Sequence, residues 1–165
     1  MSEGTAYERQ GFLRSFLYYF SALALIGSTC LIFYATIARY FFNAPPFWGE
    51  EVAVILFIWM GFTAAGLAIS NGWNVRVQAI DLVLKERTGL VLRAVLHVMA
   101  VGFLGTLLWH SAPVVELSLF GTLEATRLPS VVITAALPVG LALMMVFQSV
   151  LLVQTIVALR TGKAG

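Results

Sequence analysis

Charge is the scarcest property of this chain: 11% of its 165 residues are Asp, Glu, Lys or Arg, where a soluble domain carries about 25%. Cysteine occurs once, as Cys30 inside an apolar run. That excludes an intrachain disulfide and leaves the redox compartment unread. The sequence contains no phosphate-cradling glycine loop, no zinc signature and no serine or cysteine nucleophile motif. It has neither an internal repeat nor a matched pair of broken helices, the pointers to a substrate site in secondary transporters. The formal charge of +2 is small, and its basic residues are dispersed through the connections rather than gathered in a stripe, which argues against nucleic acid as a partner. No catalytic centre, metal site or cofactor is expected.

Apolar residues fill the space that charge leaves. They make up 60% of the chain, more than a domain of this size can hide in a core, because roughly a third of the unfolded surface stays exposed after folding. The solvent for much of this protein is therefore lipid. Arg14 and Arg39, Glu51 and Arg76, Arg93 and Glu116, and Arg127 and Arg160 bracket uncharged runs. These runs are about 24, 24, 22 and 32 residues long, against the roughly 20 a helix needs to cross the hydrocarbon core. The sequence thus predicts an all-α integral membrane protein forming a single membrane domain, 1–165, with spans at about 15–40, 48–71, 91–114 and 129–159. Pro129 suits the opening turn of the last span, and Pro138 a kink within it. The first run exceeds the 7–15 residues of a signal-peptide core, and Phe33, Tyr34, Tyr40 and Phe41 stand where a small-residue cleavage site belongs, so it reads as an uncleaved helix.

Lysine and arginine orient the spans. Arg9, Arg14, Arg76, Lys85, Arg87, Arg93, Arg160 and Lys163 fall on one side, Arg39 and Arg127 on the other. Both termini are expected in the cytoplasm, with the connection between spans one and two facing outward.

That connection, Arg39 to Glu51, carries most of the local information. Arg39 closes the first helix, Glu50 and Glu51 open the second, and Asn43, Pro45 and Pro46 break the chain between them. A cation at a helix carboxyl end and anions at an amino end each gain about 0.3–1 kcal/mol from the helix dipole with no function implied. The aromatic residues after Arg39 extend membrane depth beyond it, however, and an arginine held there requires a carboxylate, Glu50 or Glu51. Trp48 fits an interfacial anchor and Asn43 a helix-end residue. Further in, Gly61 and Ala65 have the small-xxx-small spacing that lets backbones approach. Ala22, Ala24, Gly27 and Ser28 offer the same on span one. Trp59, about 12 Å inside Glu51 by helical rise, needs a partner for its indole N–H and is expected to face another helix.

Trp73, Val77, Ile80 and Leu84 recur at helical spacing opposite Asn74, Gln78, Asp81 and Lys85, which predicts an amphipathic interfacial helix over about 73–87. His97 and His110 lie about 20 Å apart along span three, too far to share one metal or haem iron. Pro113 is expected to end or bend that span near Glu116. In span four, Gln148 suits a hydrogen bond to a partner helix.

Arg39-Tyr40-Phe41-Phe42-Asn43, then Trp48-Gly49-Glu50-Glu51, then Trp59-Met60-Gly61-Phe62 and the small residues to Ala68 resemble the small membrane subunit of tripartite ATP-independent periplasmic (TRAP) transporters. The likeness extends to length, four spans and inward termini. In the connection after span two the family often shows a histidine with an aspartate soon after; here Asn74 and Gln78 stand in those places and Asp81 lies further on. The resemblance implies a multi-pass bacterial inner-membrane protein and a non-catalytic scaffold. Its partners would be a large multi-span membrane subunit and a periplasmic substrate-binding protein, in a sodium-driven system importing an organic acid. Arg39, Asn43, Trp48, Glu50, Glu51, Trp59, Gly61 and Ala65 are the expected structural or interface residues. Two other classes remain: a membrane anchor for a haem or quinone enzyme using His97 or His110, and a self-contained small exporter, for which the first span lacks the membrane-embedded acid.

Overall fold

The computed structural model describes residues 3–44, 46–70 and 86–161. They form α1 (Glu3–Phe42), α2 (Phe47–Ser70), α3 (Glu86–Ser118), the single turn α4 (Val131–Thr134) and α5 (Ala136–Thr161). Among these residues the only extended pairing is an isolated bridge between Thr122 and Pro129. Four stretches are long and apolar enough to cross a membrane: Leu13–Phe42, Phe47–Ser70, Thr88–Ser118 and Val131–Arg160. The all-α class and the four spans therefore match the expectation from composition. The amphipathic segment expected over 73–87 falls outside the described residues, except that Glu86 and Arg87 lie in α3.

The two prolines inside the spans have different effects. Pro113 does not end the third helix, which runs through it to Ser118. A proline removes one backbone donor, but in lipid the chain loses more by abandoning the helix, since every further backbone group would need a new partner. Pro138 does break the last apolar stretch, near its start. It lies in the first turn of α5, and the helix is interrupted three residues earlier, at Ala135. Pro138 has no N–H to offer the Thr134 carbonyl, so the ladder cannot run continuously from α4 into α5. The indole N–H of Trp59 donates to the Val132 carbonyl at 2.9 Å, giving this irregular backbone a partner from α2.

The helices form an open row in the order α1, α2, α5, α3, with α4 touching α2, α3 and α5. No Cα of α1 comes within 8 Å of α3 or α5 among the described residues. The row does not close into a bundle.

The α1–α2 seam explains itself by spacing. Leu17, Ser21, Ala24, Ser28, Ala35 and Ala38 are the buried residues of α1, and steps of three, four and seven place them on one stripe of a helix. Gly49, Ala53, Thr63 and Ser70 are buried on α2. Arg14 reaches the Ser70 carbonyl, Ser21 bonds Thr63, Gly27 faces Leu56, and Ala35 faces Gly49. Each advance of about seven residues along α1 thus meets a step of seven back along α2, as an antiparallel pair in register requires. Ala24, Gly27 and Ser28 are the small residues that serve this close approach.

The α2–α5 seam is tighter. A Cβ on Gly140 would lie 2.5 Å from Phe62 Cβ, and Gly66 backs onto Leu143 and Phe147. Glycine is required at Gly140 because a ring from the facing helix fills the space of its missing side chain.

Candidate functional site: the corner and its polar clamps

The sharp break between α1 and α2 begins at Asn43, which adopts a left-handed backbone with φ 53°. That conformation ends helices, and asparagine tolerates it better than most residues. The Ala44 N–H reaches back to the Ala38 carbonyl at 3.3 Å, and the Gly49 N–H to that of Pro46 at 2.9 Å. These bonds satisfy backbone groups that helix ends leave open.

Across this break the Arg39 guanidinium donates to Glu50 Oε1. Both side chains are about half exposed, 50% and 53%, so the pair aligns the corner more than it stabilises it. Glu51 has a different job. Its carboxylate accepts from the Thr126 N–H at 2.6 Å and the Ala125 N–H at 3.3 Å, in the loop between α3 and α4. That loop is shaped locally: Leu123 N–H donates to the Leu128 carbonyl, Arg127 N–H to Leu123 and Ser130 N–H to Gly121, with Arg127 in the left-handed region at φ 56°. The two adjacent carboxylates therefore tie the corner in two directions, one to α1 and one to the distant loop.

The expected residues divide into two sets. Arg39, Glu50, Glu51, Asn43 and Trp59 are drawn into contacts within the chain. Trp48 is half exposed, and Gly61 is exposed with nothing within 4 Å of where a Cβ would stand; Ala65 is only partly covered. The backbone approach on α2 is made instead by Gly66, one position after Ala65, and is completed by Gly140 on α5.

Four polar contacts were not foreseen in full. Arg14, counted above only for orientation, donates to the Ser70 carbonyl at 2.7 Å, clamping the far end of the α1–α2 pair. Its spacing of seven from Ser21 was the available signal. Ser21 and Thr63 share a buried hydrogen bond of 2.8 Å, and Ser118 and Thr134 a half-buried one of 2.5 Å. Gln148, expected to bond a partner helix, gives its Nε2 hydrogen to His97 Nδ1 at 2.7 Å. Gln148 is buried at 3% exposure. His110 Nδ1 instead meets the Thr106 carbonyl at 2.8 Å on its own helix. Among the described residues no group of three or more His, Cys, Asp or Glu could hold a metal ion.

Apolar spans, helix seams built from small residues and polar groups placed at helix ends and crossings define a multi-span membrane component. Comparison with known families agrees. The description "Tripartite ATP-independent periplasmic transporters, DctQ component" matches residues 28–158, and the chain belongs to that family. It is also 31% identical over 105 residues to the isethionate TRAP transporter permease protein DctMQ of Oleidesulfovibrio alaskensis. The match takes in 62% of this chain but 16% of that much longer protein.

Proposed function

We propose that this chain is the non-catalytic scaffold of a TRAP transporter, steadying a large multi-span membrane subunit that carries the ion and substrate sites. The open row is the observation that supports this reading most directly. A self-contained helical unit closes its faces on one another, whereas here Gly61 stands open beside the partly covered Ala65, on a face suited to helices of another chain. In this reading Trp48, Gly61 and Ala65 serve the subunit interface, while Arg39, Asn43, Glu50, Glu51 and Trp59 hold the shape that presents it. The complex lies in a bacterial inner membrane, with both termini of this chain cytoplasmic and the Arg39–Glu51 corner on the periplasmic side.

The cargo is an organic acid anion imported with sodium and delivered by a periplasmic binding protein. The named cargo of the DctMQ relative, a small organic sulfonate, belongs to that chemical class. That relative's compound name, DctMQ, fits two components working at fixed proximity. Purification of the tagged chain in mild detergent from its native membrane should bring down one large multi-span protein in near-equal amount. Deleting the chain should abolish sodium-dependent organic-acid uptake. Recovery of the chain alone, or with a soluble redox subunit, would remove this reading.

A further inference from the structure

Between α3 and α5 lies a groove of about 470 Å³ that the scaffold reading does not use. One wall is α3 from Gly105 to Glu116, including Trp109 and Pro113; Met145 of α5 lies opposite. This stretch of α3 covers about 16 Å along the axis. A slender chain can lie lengthwise against it. Gly105 keeps its inner end open, with nothing within 4 Å of its Cβ position.

The two ends of the groove differ chemically. Its inner part is apolar. Its outer end carries Glu116, two residues before α3 stops and exposed; no cation or donor among the described residues pairs with this carboxylate. Pro113 withholds a backbone donor from the Trp109 carbonyl one turn earlier, and the Trp109 ring is 80% exposed. An acceptor-only polar end near the membrane surface, continuous with an apolar slot along the bilayer normal, has the layout of an amphiphile site.

We infer that this groove binds one acyl chain of a phospholipid whose headgroup carries a primary ammonium, the phosphatidylethanolamine class, with that ammonium donating to Glu116. The ammonium supplies three N–H donors to the carboxylate, whereas the net negative headgroup of phosphatidylglycerol is repelled by it. The inference needs only that α3 and α5 cross a bilayer and does not depend on the transport role.

The full-length chain in detergent, titrated with phosphatidylethanolamine or phosphatidylglycerol of identical acyl chains, should retain the former about fivefold better in native mass spectrometry, the upper range for one exposed ion pair. The chain's formal charge of +2 would by itself favour the anionic lipid, so the preference is diagnostic. Glu116→Gln should abolish it and Glu116→Lys should reverse it. Gly105→Leu should lower retention of the ethanolamine lipid while helicity and melting temperature stay unchanged. Equal retention of both lipids, or a preference that survives Glu116→Gln, would overturn the assignment. So would a photoprobe on Ala112→Cys, in a Cys30→Ser background, that labels a protein rather than an ethanolamine lipid in native membranes.

Discussion

α1 and α3 stand at opposite ends of the same row, yet they are attached by different means. α1 lays a continuous stripe of alanine and serine into α2 and is clamped at one end by Arg14 on Ser70 and at the other by Arg39 on Glu50. In α3 the most apolar stretch has no buried residue. Its attachment to α4 and α5 includes two side-chain hydrogen bonds, His97 to Gln148 and Ser118 to Thr134, and the groove opens between them. Within a membrane the difference is physical. Lipid solvates a leucine as well as a neighbouring helix does, so association rests on backbone proximity and on polar groups that lipid cannot satisfy. Both edges approach closely along their length, but only the first buries a continuous stripe of small residues.

The largest expected effect removes the frame on which both edges depend. Gly140→Leu places a side chain where Phe62 already lies and should cost at least about 1–3 kcal/mol through overpacking, read as a lowered melting temperature and poor recovery of monodisperse protein. An unchanged melting curve would mean that α2 and α5 are not closely packed.

Next comes the α3 edge. Gln148→Leu should loosen α3 by roughly 0.6–2 kcal/mol, and adding His97→Leu should cost less than the sum of the two single changes. Full additivity in that cycle would dissolve the contact. Ser21→Ala on the other edge should cost less than Gln148→Leu, because packing along α1 persists without that hydrogen bond. An equal loss would erase the contrast between the two edges.

A smaller effect is expected from Glu51→Ala. Hydrogen exchange should accelerate at the Ala125 and Thr126 amides, with little change in α3 or α5. The smallest is Arg39→Ala, about 0.2–1 kcal/mol in stability for a half-exposed pair, though assembly or uptake should fall. Arg39→Glu should be worse, and Glu50→Arg in that background should restore part of the loss. Normal assembly and transport in Arg39→Ala would show that the pair has no role in shaping the corner.

Much of this molecule was legible along the chain. Local signals were reliable where one residue type answers a local need: Asn43 takes the left-handed turn at the break, Glu50 meets the cation eleven residues earlier, and Trp59 and Gln148 find partners on other helices because neither leaves its hydrogens in lipid. The prolines were only partly legible, because their consequence depends on what surrounds them. Pro113 is accommodated within α3, while Pro138 shifts a break to Ala135 that Trp59 helps to satisfy.

By itself the sequence determined that four stretches are long and apolar enough to cross a membrane, and that its polar groups gather at ends and crossings, because the cost of charge and unpaired backbone in lipid is set residue by residue. It could not determine which helix lies beside which. Four apolar helices have nearly equivalent faces, and the choice rests on matches between residues far apart in the chain: Gly140 under Phe62, Thr63 against Ser21, the Ala125 and Thr126 amides on Glu51. Only the tertiary structure shows that those matches form an open row and leave Gly61 and the groove beside Glu116 uncovered.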